Sequence, residues 1–171
     1  MRNIVRLVKN WQFIGPEGNT ITVDLPHTWN AIDGQDGGND YWRGTCIYRT
    51  SFEAPAFELD SQQVWLQFEG VNASAKVILN GTEVCVHDGG YSTFRADITT
   101  LLREENILTV EVDNSVNDHV YPQKADFTFY GGIYRDVSLL VVNKNHIALG
   151  HYGDTGVKIT PTVCKDNTAD V

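Results

Sequence analysis

Cysteine is scarce and odd in number. Cys46, Cys85 and Cys164 are the only three, and no two stand in a CxxC spacing. Neither a disulfide framework nor a zinc site is therefore signalled, and the thiols are expected to be buried and free. Basic residues are also in the minority. Thirteen Lys and Arg stand against 22 Asp and Glu, and a net charge of -9 repels phosphate backbones and argues against nucleic acid as a partner. A neutral ligand fits that balance better. No apolar run approaches the length of a membrane-spanning helix, so no membrane partner is expected and the chain should be soluble. No secretory leader precedes the opening MRNIVRLVKNWQF, where charges interrupt each apolar run. The expected location is cytoplasmic, or periplasmic or secreted if a leader has been removed.

Helical periodicity is missing as well, and what replaces it is short alternation. The 171 residues, 42% of them hydrophobic, are enough for one well-cored domain. Residues 1–14 are read as an edge strand, followed by the turn residues Gly15, Pro16, Gly18 and Asn19. Residues 20–25 (TITVDL), 45–54 (TCIYRTSFEA), 64–69 (VWLQFE) and 107–112 (ILTVEV) read as strands with one buried face. AKVIL and TEVCV are joined by Asn80-Gly81, a strong hairpin signal. Asp97 is expected to cap one helical turn, ITTLLREE, that ends at Asn106. Eight or nine short strands without a long helix make an all-β sandwich or jelly roll.

Two loops interrupt this rhythm. Residues 30–44 carry Gly34, Gly37, Gly38 and Gly44 and end on Trp42 and Arg43; long loops of this kind are often functional. The second begins at Asp113 and leads to residues 124–142, KADFTFYGGIYRDVSLLVV. Here Asp126 stands beside Phe127, Phe129 and Tyr130, the Gly131-Gly132 pair lets the chain fold back, and an almost wholly apolar strand follows. Asp126 is thus offered at a rim on a rigid support. On the residues alone it is a turn aspartate bonding its own backbone. The formal glycosylation sequons at Asn72 and Asn80 are discounted, the second being explained as a hairpin turn.

LPHTW at 25–29, YRTSFEAP at 48–55, WLQFEGVNASAKVILNG at 65–81, DITTLL at 97–102, ILTVEVDN at 107–114 and YGGIYRDVSLLV at 130–141, in that order, resemble the N-terminal sugar-binding domain of glycoside hydrolase family 2, the β-galactosidase and β-glucuronidase family. The resemblance implies a jelly-roll β-sandwich. In the full-length enzyme it is followed by an immunoglobulin-like domain and a TIM barrel that supplies two catalytic glutamates. It also implies that this chain has no catalytic residue and is inactive alone. Asp126 matches an aspartate that contacts sugar hydroxyls and a monovalent cation (Na or K), so it is both a substrate-binding and a metal candidate. Asn39 or Asp40 matches a sugar-contacting asparagine by its distance from Trp29, with ordinary loop solvation an equal reading. Trp42, at the loop exit, is placed to stack on sugar. The resemblance implies no cofactor held by this chain alone, with the monovalent cation and Mg as candidates in the full-length enzyme.

The remaining singled-out residues are given structural readings. Trp11, Trp29 and Trp65 are assigned to the core. His27 is read as a hydrogen-bonded structural residue, and Arg135 with Asp136 as a buried ion pair of no functional role. Residues 1–148 are expected to form the jelly roll. Residues 149–171 should be a linker plus the first strand, VKITPTV, of a truncated immunoglobulin-like domain, unpaired here and able to drive self-association. Carbohydrate and the other domains of the same chain are the expected partners, with a homo-oligomer possible. The competing function is an autonomous carbohydrate-binding module.

Overall fold

Alternation of buried and exposed residues builds two antiparallel sheets that share one core. The computed structural model describes residues 2–32, 42–121, 129–151, 153–163 and 168–170. In chain order the strands are β1 (Asn3–Arg6), β2 (Trp11–Ile14), β3 (Thr20–Val23), β4 (Thr45–Glu53), β5 (Gln62–Phe68), β6 (Ser74–Leu79), β7 (Thr82–Asp88), β8 (Phe94–Asp97), β9 (Glu105–Asp113), β10 (Val137–Asn143), β11 (Thr162–Val163) and β12 (Ala169–Asp170). Six strands run in the order β3-β2-β4-β9-β6-β7, and four in the order β1-β10-β5-β8. Among the described residues there is no helix, so the all-β sandwich is as expected.

The period of two decides which side chains meet. Cys46, Tyr48 and Thr50 of β4 point inward, as do Leu108, Val110 and Val112 of β9 and Ala75, Val77 and Leu79 of β6. They meet Val64, Leu66 and Phe68 of β5 and Val137, Leu139 and Val141 of β10 in one apolar cluster with Trp11 and Ile133. Each large side chain in it contributes about 1.5–3 kcal/mol by leaving water. Cys46 is buried and free, its thiol pushed up to about 12 chiefly by burial; Cys85 is half-buried and free. Cys164 lies outside the described residues.

Strand β10 is buried on both faces from Val137 to Val142, which explains why only Ser138 interrupts its apolar run. Its outer side chains Leu140 and Val142 pack with Leu149 and the half-buried Trp65. Arg95 fixes the covering segment by donating to the carbonyls of Leu149 and Asp154 at 3.1 and 3.2 Å. The chain beyond residue 148 is thus fastened to the sandwich at Leu149.

Three local expectations are corrected. Residues 1–14 are two strands in different sheets: Asn10 takes a left-handed conformation (φ 58°), and Asp24 holds its amide at 3.1 Å and Lys9 at 2.7 Å. The helical turn after Asp97 is cut to a single hydrogen-bonded turn, the Leu101 amide donating to the Ile98 carbonyl at 3.0 Å, and no helix follows it. The Asp97 carboxylate accepts the Thr99 amide at 3.0 Å while the Ile98 amide donates to Val64 and the Val64 amide to the Thr99 hydroxyl, so β5 claims these groups before a helix can nucleate. The tail strand is not unpaired, since Thr162 and Val163 pair with Asp170 and Ala169. Self-association through an orphan strand loses its basis.

The Asn80-Gly81 hairpin is as expected. Both residues have positive φ (53° and 84°), as the favoured two-residue turn requires. The Asn80 side chain donates to the Leu101 carbonyl and to buried Asn106, tying the hairpin to the segment after β8.

Candidate functional site

At one end of the sandwich the segments 27–30, 42–44, 72–73, 114–120 and 129–133 come together. Asn39, Asp40 and Asp126 lie outside the described residues, but the described ends of both loops that carry them are here. Trp42 is one of those ends. It is 36% exposed and stands edge-on to Trp29, with ring centroids 6.0 Å apart. Trp29 in turn lies parallel to Phe13, also at 6.0 Å. Trp11 is wholly buried and Trp29 and Trp65 partly so, as the core reading expects.

The close fit of Gly131 and Gly132 against 27–29 sets the geometry. A Cβ on Gly131 would stand 2.1 Å from the Trp29 ring, and one on Gly132 would stand 2.5 Å from the His27 carbonyl oxygen. The two segments exchange bonds throughout. His27 N donates to the Ile133 carbonyl at 2.8 Å, and Thr28 Oγ1 to the Gly131 carbonyl at 2.8 Å. Asn72 and Gly132 exchange backbone bonds at 3.1 and 3.2 Å, and Asn72 Nδ2 donates to the Tyr130 carbonyl at 2.7 Å.

Two wholly buried amides, Asn30 and Asn114, join the loop ends to each other. Asn30 Nδ2 donates to the Trp42 carbonyl at 2.9 Å, and Asn30 Oδ1 accepts the Gly131 amide at 2.7 Å. Asn114 Nδ2 donates to Asn30 Oδ1 at 3.1 Å and to the Phe129 carbonyl at 3.3 Å, while its Oδ1 accepts the Gly44 amide at 2.9 Å. The Arg43 guanidinium lies over the Phe129 ring, 5.0 Å from its centroid. Sequence reasoning did not single out these asparagines. Their only signal is position: Asn30 directly follows LPHTW, and Asn114 ends ILTVEVDN.

Beside this cluster a cavity of about 480 Å³ is lined by Ser74, Asp88, Asp113, Ser115, Asn117 and His119. Burial pushes the Asp113 carboxyl up, but hydrogen bonds from Ser115 and Thr45 outweigh it and hold the group below the usual carboxylate range. Among the described residues no group of three or more His, Cys, Asp or Glu could hold a metal ion.

His27 is structural, as expected: its Nδ1 meets the Tyr48 hydroxyl at 2.7 Å. Burial pushes Tyr48 up and His27 down. His87, stacked on Phe94 at 4.2 Å, is likewise lowered by burial. A histidine whose folded pKa is depressed binds its proton more readily unfolded, so stability is present above about 6.5 and lost as pH falls below it. The unfolding midpoint should therefore fall between pH 7.5 and 5.5, and His27→Gln should reduce that slope in thermal melts. Arg135 and Asp136 do not pair with each other. Asp136 faces Arg6 at 3.5 Å, and exposed Arg135 donates to the carbonyls of Glu69 and Tyr91 at 3.3 and 3.2 Å.

The sandwich, its glycine-seated rim and its order of motifs agree with one family. The family model for glycosyl hydrolases family 2, sugar binding domain, matches residues 10–143. The chain belongs to this family. It is 37% identical to a β-glucuronidase of Bacteroides fragilis over 99% of its own length and 25% of that protein's. A β-galactosidase of Thermoanaerobacter pseudethanolicus is 33% identical over 80% of this chain and 19% of its own. The crystal structure of an FMN-binding β-glucuronidase from Facaelibacterium prausnitzii L2-6 superposes with a TM-score of 0.88 at 44% identity, covering 99% of this chain and 27% of that one. The chain thus spans 19–27% of the length of these relatives, which are larger proteins carrying the same sugar-binding domain.

Proposed function

We propose that this domain forms one wall of the sugar pocket of a longer family 2 β-glycosidase and breaks no bond itself. The observation that carries the reading is the joining of two loop ends at one glycine-seated rim, within the stretch matched by the family's sugar-binding domain. A retaining glycosidase needs two carboxyl groups flanking one glycosidic bond, and in this reading both are glutamates of a barrel elsewhere in the chain. The domain contributes recognition. Asp126 accepts sugar hydroxyls, since a carboxylate makes stronger hydrogen bonds than a neutral acceptor. Asn39 or Asp40 adds a polar contact from the facing loop, and Trp42 offers an apolar face. A monovalent cation at Asp126, Mg elsewhere, an immunoglobulin-like domain and the barrel complete the enzyme. The substrate is a β-galactoside or a β-glucuronide, the activities named among the relatives.

Isothermal titration of this chain with millimolar galactose and glucuronic acid tests the division of labour. One wall of a pocket should give no saturable heat from a folded sample. Saturable heat that disappears in Asp126→Ala would instead make the chain an autonomous carbohydrate-binding module.

A further inference from the structure

We infer that Asn30 and Asn114 are positioning residues that couple the two loops of the rim, so that sugar contact made from either loop depends on both amides. The inference rests on the sugar-wall reading above and names the device that would hold that wall together.

A buried side-chain amide has two donors and two acceptor lone pairs to satisfy, and an apolar core would be easier to build without it. Here two such amides, 0% and 2% exposed, sit side by side. Between them they bind groups at both loop ends: the Trp42 carbonyl and Gly44 amide after the first loop, the Phe129 carbonyl and Gly131 amide after the second. The two amides also bond each other, Asn114 Nδ2 to Asn30 Oδ1. Asn30 touches the second loop through Gly131 and the first through Trp42; Asn114 touches the first through Gly44 and the second through Phe129. Displacing either loop end therefore breaks bonds to both asparagines. Hydrogen bonds in a buried network of this kind support one another, so the network admits one spacing of the loops. Thr28 closes the arrangement, donating to the Gly131 carbonyl and accepting the Asn30 amide at 3.2 Å.

The Gly131 amide donates to Asn30 and the Gly44 amide to Asn114, so each reports on a different member of the pair. In Asn114→Ala, hydrogen exchange at Gly44 should quicken at least about tenfold, and Gly131 should follow although Asn114 does not touch its amide. Asn30→Ala should give the reciprocal result. If either alanine variant fails to fold, Asn30→Asp and Asn114→Asp keep the size and the acceptors while deleting the donors. Acceleration of the directly bonded amide alone would overturn the inference.

The second arm is a kinetic cycle in the longer enzyme with a nitrophenyl glycoside, run well below the unfolding temperature. Asn114→Ala should lose about tenfold in kcat/KM, mostly through KM, and the double variant with Asp126→Ala should lose less than the product of the two single losses. Losses that multiply would show that the amides act independently of the Asp126 contact, and no loss in Asn114→Ala that they only stabilise the fold; either would overturn the positioning role. Full activity in Asp126→Ala would overturn the sugar-wall reading itself, a result separate from the exchange of the two amides.

Discussion

Gly132→Ala should lower stability by about 2–6 kcal/mol, combining the strain of a side chain in a disfavoured backbone region with the repulsion of overpacking. The glycine has φ +132°, and a Cβ there would stand 2.5 Å from the His27 carbonyl oxygen, 2.7 Å from the Tyr48 hydroxyl and 3.1 Å from Thr28 Cα. Two of these three atoms are backbone, so no rotamer change relieves them. Movement must come from the 27–28 or the 131–133 segment, and their mutual hydrogen bonds are what place the rim. For a domain of this size the melting temperature should fall by roughly 5–20 °C. Gly18→Ala is the control: its φ is +78°, yet nothing lies within 4 Å of the added carbon, so only backbone strain of about 1 kcal/mol remains. Equal losses in the two variants, measured by calorimetry, would show that close packing at Gly132 does not matter.

What the sequence made legible is local. Alternation marked β4, β6 and β9, and Asn80-Gly81 marked its hairpin, because these signals act within a few residues. The failures are places where a distant partner decides. The break between β1 and β2 falls at Asn10 without glycine or proline, and it is held by Asp24 at the far end of β3. The residues after Asp97 have a helix-start pattern, but β5 takes their hydrogen-bonding groups.

The site follows the same division. Trp42 stood out as an aromatic at a loop exit, and the structure places it on Trp29 at the rim. Asn30 and Asn114, 84 residues apart, stood out in no pattern, because an amide that will be buried looks like any other loop asparagine until its partner is known. The ion-pair reading of Arg135 and Asp136 failed for a related reason. Adjacent residues entering a strand point to opposite faces, and each finds its own partner.

Asp126→Ala in the longer enzyme is the direct test of the sugar-wall account. A hydrogen bond to a charged group contributes about 1.5–3 kcal/mol. At 1.4 kcal/mol per tenfold, losing one such contact lowers kcat/KM by roughly 10- to 100-fold. The melting temperature should change little, because the proposed partner of the carboxylate is the substrate and not the fold. The measurement is kcat/KM for a β-galactoside and a β-glucuronide, in the parent enzyme and in Asp126→Ala at matched folded fraction. A drop of that size on the parent's own substrate, with the fold intact, is the predicted result. Unchanged catalytic efficiency would contradict the account and leave the domain a scaffold whose loops never touch sugar.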